Sequence, residues 1–204
     1  MSNNTHEGNY AQICYRSRAD LMIDDDWPRI RARRTSSMSR WMTLIERDVE
    51  FAAGAEVETY YALGQSDYVS VIAITPDRRI PIVRQFRPAL EMFTWELPAG
   101  LVESGEAPET ACCRELLEET GFPARVVRSL GAASPDTGRL SNRIHSFYVE
   151  AGDRVANFEA EPGLTVKLVT PGELAGLIGS GHFISHIHLG ALLLAQVHGL
   201  IDLA

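Results

Sequence analysis

The sequence predicts an α+β fold, an α/β/α sandwich in which a mixed β-sheet lies between helices and is preceded by antiparallel N-terminal strands. Three observations predict it. Stretches of strand-like alternation such as "DYVSVIAIT" and "RIHSFYVEA" fill the middle of the chain. One helical stretch, "APETACCRELLEET", interrupts them, and two more close the chain. The order of strands, helix, strands and helices lacks the strict βα alternation of a doubly wound sheet, so a mixed sheet covered on both faces is expected.

Each element has a local reason. Residues 1–40 begin with the polar "SNNTHEGN" and include the basic run "PRIRARRTSSMSR" with five arginines. They predict a solvated, partly disordered arm, and the folded domain then spans 41–204. "WMTLIERDVEF" and "EVETYYAL" flank "AAGAE" and read as a hairpin. "DYVSVIAIT" and "IPIVRQFRP" flank "PDRR" and read as a second hairpin of buried strands, and "WELPAGLV" as a strand running into a glycine turn. In "APETACCRELLEET", Pro108 suits the first helical turn and Gly121 stops the helix. "ARVVRSLGAAS", "RIHSFYVEA" and "LTVKLVT" are further strands; "PGELAGLIGSG" and "SHIHLGALLLAQVHGLI" are the closing helices.

Composition limits the function classes. With 204 residues, 45% of them hydrophobic and 23% charged, the chain can bury a core of useful size. A net charge of −8 opposes non-specific attraction to nucleic acid or to anionic membranes, so neither is an expected partner. No apolar run is long enough to span a bilayer, and the N-terminus lacks the apolar stretch of a secretory signal. Cys14, Cys112 and Cys113 have no ligand spacing, and the adjacent pair cannot form an ordinary disulfide within a helix. A reducing, cytoplasmic location is the expectation.

The chemistry concentrates in "RELLEE". At about 100° per residue, Glu118 lies about −60° and Glu119 about +40° from Glu115, so three carboxylates share one helix face. Like charges one turn apart repel. The crowding becomes tolerable when the face holds a divalent cation, and hard oxygen ligands at this density suit Mg²⁺ or Mn²⁺ and phosphoryl chemistry. Alone, the hexamer also describes a solvated helix face. The wider spacing decides: G-x5-E-x7-R-E-U-x-E-E-x-G-U, with U apolar, is matched at Gly100, Glu106, Arg114, Glu115, Leu116, Glu118, Glu119, Gly121 and Phe122. At average residue frequencies chance gives such a match on the order of 10⁻⁷ of the time.

At these residues the sequence resembles the Nudix hydrolases, whose defining box covers residues 100–122. The resemblance implies the Nudix fold and cleavage of a nucleoside diphosphate linked to another group by attack of water on phosphorus. It implies that Glu115, Glu118 and Glu119 ligate Mg²⁺ or Mn²⁺ together with the carbonyl of Ala99, and that Gly100 lets that loop approach. Arg114 would orient a box glutamate by an ion pair, and Glu106 would brace the loop against the helix.

The surroundings resemble the ADP-ribose pyrophosphatase and sugar-nucleotide branch, on "VRQFRP" and "WELPAGLVE" before the box and "SPDTGRLSNRIHSFYVE" after it. By that resemblance Arg87 contacts the diphosphate, as a fork of donors suits paired phosphate oxygens, and Glu96 joins the metal network. Arg139, Asn142, Arg143 and His145 could read a sugar or phosphate. The chain departs from the pattern at Thr137-Gly138, where many such hydrolases carry Pro-Gly.

For the general base the loop "NFEAEPGLTVKL" offers Glu159 and Glu161, of which Glu161 is preferred, with Glu118 as the substitute. Residues 41–63 are expected at a homodimer interface, and Trp41, Tyr60, Tyr61 and Tyr68 in the N-terminal strands serve as core, interface or base platform. His186 and His188, two residues apart, fall on different helix faces, which argues against a zinc site. The leading expectation is hydrolysis of ADP-ribose, a small-molecule nucleotide, to AMP and ribose 5-phosphate. GDP-mannose, NADH or another dinucleotide, or a regulatory domain that binds without cleaving, are the alternatives.

Overall fold

A computed structural model of the protein describes residues 27–203. Its layers follow from one strand. Strand β4 (Tyr68–Ile74) is buried on both faces, and alternate side chains enter different cores. Val69, Val71 and Ala73 face one cluster, which includes Ala111, Cys112 and Leu116 of helix α1 (Pro108–Thr120). Ile72 faces the other, with Leu174 of α2 (Pro171–Gly179) and Ala191, Leu192 and Ala195 of α3 (His186–Val197). Strand β9 (Ile144–Ala151) repeats the division: Phe147 and Val149 enter the first cluster, Tyr148 the second.

The remaining strands are β1 (Arg29–Ser37), β2 (Thr43–Glu50), β3 (Glu58–Gly64), β5 (Ile80–Arg87), β6 (Met92–Glu96), β7 (Ala99–Leu101), β8 (Ala124–Ala133) and β10 (Thr165–Val169). They form three sheets in the orders β1-β2-β3, β10-β5-β6 and β7-β4-β9-β8. The last is mixed, because β4 runs parallel to β9 and antiparallel to β7. This is the expected α+β architecture with a mixed sheet between helices.

Three local expectations need correction. The basic run assigned to the arm is strand β1, paired antiparallel with β2. Two of its arginines are compensated there: Arg34 makes a two-pronged contact with Asp48 at 2.7 Å and also bonds Glu46, while Arg31 pairs with Glu50. The start of that arm and Cys14 lie outside the described residues. Strands β4 and β5 are joined by a turn in which the Thr75 amide donates to Arg79, yet they belong to different sheets and are not a paired hairpin. Finally, "WELPAGLV" is two strands. Proline at 98 has no amide to continue a ladder, and the chain passes there from β6, paired with β5, to β7, paired with β4.

Helix α1 begins with Pro108 in its first turn and ends at Gly121 in the left-handed conformation, φ 75°, whose amide donates to the carbonyl of Leu117. The α2 start has a reciprocal cap, Thr170 side chain to the Glu173 amide and Glu173 side chain to the Thr170 amide.

Candidate active site

The passage from β6 to β7 lies against the polar face of α1. With Ala111, Cys112, Leu116 and Thr120 turned into the core, Glu115 and Glu119 fall at the helix edge that faces β7, while Glu118 is exposed. The Glu119 carboxylate accepts from the Ala99 amide at 3.0 Å. Glu115 lies directly over Gly100: a Cβ at that position would sit 2.0 Å from its carboxyl carbon. Any side chain there would expel the carboxylate, which is a physical reason for glycine at the front of the box.

Arg114 is the hub of the box. Its guanidinium donates to both oxygens of Glu106 at 3.0 Å, to Glu115 at 2.6 Å, to Glu118 at 3.1 Å and to the Leu101 carbonyl at 3.0 Å. Glu106 also accepts from the Glu103 amide, so it ties the loop to the helix. The hydrogen bonds from Arg114 and from that amide hold the Glu106 carboxyl below its ordinary range.

Glu119 is different. Burial above all, with the neighbouring charges of Glu115 and Glu96, pushes it up to about 8 against the opposing Ala99 amide and Arg87. Burial also raises Glu115, against the pull of Arg114. Among the described residues no three His, Cys, Asp or Glu side chains are gathered into a ready-made cation cage. The donor chemistry nevertheless fits a divalent cation: two partly buried carboxylates whose charge burial disfavours, and a third exposed one turn away, are the hard oxygen ligands such an ion takes.

Arg87, at the end of β5, meets Glu96 at the end of β6. Its Nε donates to Glu96 Oε1 at 2.8 Å and its Nη2 to Oε2. Glu96 Oε1 also accepts from Thr94 Oγ1 at 2.5 Å, and its Oε2 contacts His188 Nε2 at 3.3 Å. Burial works against the Glu96 charge, but the bonds from Arg87, His188 and Thr94 prevail and hold its carboxyl well below the usual range. The Arg87 guanidinium is held protonated mainly by Glu96, with Glu119 near enough to add to the effect.

The loop 134–143 is anchored on the N-terminal sheet. Tyr60 Oη donates to the Gly138 carbonyl at 2.6 Å, and Leu63 exchanges backbone bonds with Arg139 and Ser141. Asn142, a candidate sugar or phosphate reader, is buried with its amide engaged by Gln65 and the Ser66 carbonyl. The Asp67 carboxylate accepts from the Arg143 amide and contacts His145 Nε2 at 3.0 Å. Arg139 and Arg143 have exposed positions in this loop. Glu159 and Glu161 are exposed on the loop before β10, and Trp41, Tyr60 and Tyr61 are exposed on the N-terminal sheet, whereas Tyr68 is half-buried. Sequence reading missed Thr94, Ser70, Asp67 and the part played by His188. Nothing local marks them, since His188 lies 92 residues from Glu96.

Known proteins resemble this chain in sequence and in fold. Residues 65–186 match the family described as NUDIX domain, more than half the chain. The chain is 29% identical over 157 residues to a CMP-5'-(N-acetyl-N-hydroxy-3-aminopropyl)phosphonate hydrolase of Streptomyces rubellomurinus, covering 76% of this chain and 75% of that protein. It is 40% identical over 82 residues to an ADP-ribose pyrophosphatase of Bacillus subtilis, a match covering 40% of this chain and only 44% of that protein. A solved structure described as an ADP compounds hydrolase superposes with a TM-score of 0.71 at 20% identity, over 88% of this chain and all of that one, and shows the shared fold. The complete box on a strand-to-helix passage, the sheet order around it and these matches lead to one conclusion: the chain belongs to the Nudix family, a family of hydrolases of phosphorus-containing anhydrides.

Proposed function

We propose that the protein is a Mg²⁺- or Mn²⁺-dependent diphosphatase of nucleoside diphosphate sugars, with ADP-ribose, cleaved to AMP and ribose 5-phosphate, as the leading substrate. One juxtaposition carries the reading: Arg87, at the end of β5, lies within electrostatic reach of Glu119 on the box helix, and Glu115 of the same helix lies over Gly100. On this reading a cation-binding face and a phosphate-binding fork share one site. The Bacillus relative's name, ADP-ribose pyrophosphatase, supports the substrate class.

Glu115, Glu118 and Glu119, with the Ala99 carbonyl, would hold the metal. When bound, the metal supplies charge neutralisation of the diphosphate and acidification of water. Arg87 offers planar donors to the phosphate oxygens, and Arg139 lies on the loop that flanks them. A water oxygen attacks one phosphorus, the bridging P–O bond breaks, and the water's proton passes to a carboxylate, with Glu161 first and Glu118 second as acceptor. The acting unit is a homodimer built through the N-terminal sheet and working in the cytoplasm.

The test is purified protein with Mg²⁺ and a panel of ADP-ribose, GDP-mannose, NADH and the CMP phosphonate of the Streptomyces relative, with release of nucleotide followed by chromatography. Fastest turnover of ADP-ribose is expected. Preference for another member would reassign the substrate, and binding without release would favour a regulatory domain. The intact set of box glutamates stands against that last outcome.

A further inference from the structure

The Glu96 carboxylate has about four acceptor positions when ionised. Four protein donors are directed at them: Arg87 Nε and Nη2, Thr94 Oγ1 and His188 Nε2. An ionised carboxylate only accepts, so His188 carries its proton on Nε2. On the other side of the ring, Nδ1 lies 2.9 Å from Ser70 Oγ. That hydroxyl can donate to a neutral ring or accept from a charged one, so the contact is satisfied in either state. The His188 side chain is 4% exposed and that of Glu96 5%, whereas Arg87 keeps 41% exposure. A buried chain from Ser70 of β4 through His188 of α3 to Glu96 of β6 therefore ends on the half-exposed guanidinium of Arg87.

We propose that His188 is a positioning residue that, with Ser70 behind it, fixes the Glu96 carboxylate and through it the orientation of Arg87 toward a substrate diphosphate. The proposal rests on the reading of Arg87 given under Proposed function. It assigns Glu96 as the seat of Arg87 and leaves it no lone pair for a metal. A two-pronged hold on Nε and Nη2 fixes the guanidinium plane, which is what recognition of paired phosphate oxygens requires.

Two readouts test it. The first, independent of turnover, is solvent exchange of the Arg87 Nε–H followed by NMR and assigned by its loss in Arg87→Lys. His188→Leu is expected to speed that exchange about tenfold. The second is steady-state hydrolysis of ADP-ribose with Mg²⁺: His188→Leu raises KM about tenfold with kcat within about threefold, and adds little in an Arg87→Gln background. His188→Gln, which keeps a donor near Nε2, returns both values toward wild type. Ser70→Ala, which removes only the outer contact, moves them the same way by less and serves should the leucine variant fail to fold. Unchanged exchange, or a fall in kcat with unchanged KM while Arg87→Gln raises KM, would overturn the proposal alone. Faster exchange in a wild-type background without hydrolase activity would support the network and overturn the diphosphatase reading.

Discussion

Two glutamates near each other in space are set in opposite directions by their partners. Glu96 is surrounded by donors and held ionised, while Glu119 has burial and neighbouring acids against its charge. The Glu96 shift gives a pH prediction. Its folded value lies below the 4.5 of an ordinary glutamate, so on acidification the unfolded chain takes up the proton first. Stability contributed by this group is present above about pH 4.5 and is lost as pH falls below it. Denaturant titrations from pH 6 downward are expected to show a smaller acid loss in Glu96→Gln than in wild type; equal slopes would contradict the assignment. Glycine at 100 gives a second prediction. In Gly100→Ala the new methyl must displace the Glu115 carboxylate, so turnover falls at least about tenfold while the melting temperature changes little.

At the scale of elements, the end of α1 shows what a box residue does beyond chemistry. Gly121 is at φ 75°, and a Cβ there would lie 2.4 Å from the Phe158 ring. Arg154 donates to the Thr120 carbonyl at 2.8 Å and stacks over Phe158 at 4.9 Å, so the loop carrying Glu159 and Glu161 is seated on this helix end. Gly121→Ala combines a strained backbone with a clash and is expected to cost more than about 1 kcal/mol, read by urea denaturation. The α2 cap predicts a loss of about 1 kcal/mol for Thr170→Ala by the same measurement, with no change in KM.

What could be read from sequence follows the same scale. Helix α1 and its glycine stop were legible because the signals are local, and the box because its spacing is improbable by chance. The partners of β4 and β5 were not: alternation marks a strand but does not say which neighbour it takes, and β4 takes β9 at a separation of 76 residues, as Tyr68 meets Ile144. Strand β1 was hidden by its arginines; the charges of Arg31 and Arg34 are matched by acids that only pairing with β2 brings near. In the site, the acids of the box could be named, whereas the buried contact of Glu96 with His188 and the partly exposed one of Asp67 with His145 join residues far apart in the chain.

Among the described residues, the Nudix domain is accompanied by a three-stranded N-terminal sheet. That sheet and its connecting turns expose Trp41, Phe51, Tyr60 and Tyr61, each near half its surface or more, and β3 holds the loop 134–143 through Tyr60 and Leu63. Exposed aromatics on a sheet favour a partner surface, and the homodimer proposed above is expected to use it. Light scattering should give twice the 22.5 kDa chain mass for wild type and a monomer for Tyr61→Glu; a monomeric wild type would remove the dimer from the account. The central claim, that the box carboxylates bring a divalent cation to a diphosphate, has a more direct test. It is ³¹P NMR of ADP-ribose with wild type and Glu119→Gln at matched Mg²⁺. Conversion to AMP and ribose 5-phosphate by the wild type, abolished by EDTA and slowed at least about 100-fold in a folded Glu119→Gln, is the predicted result. Cleavage at the wild-type rate by that variant, or in excess chelator, would contradict it.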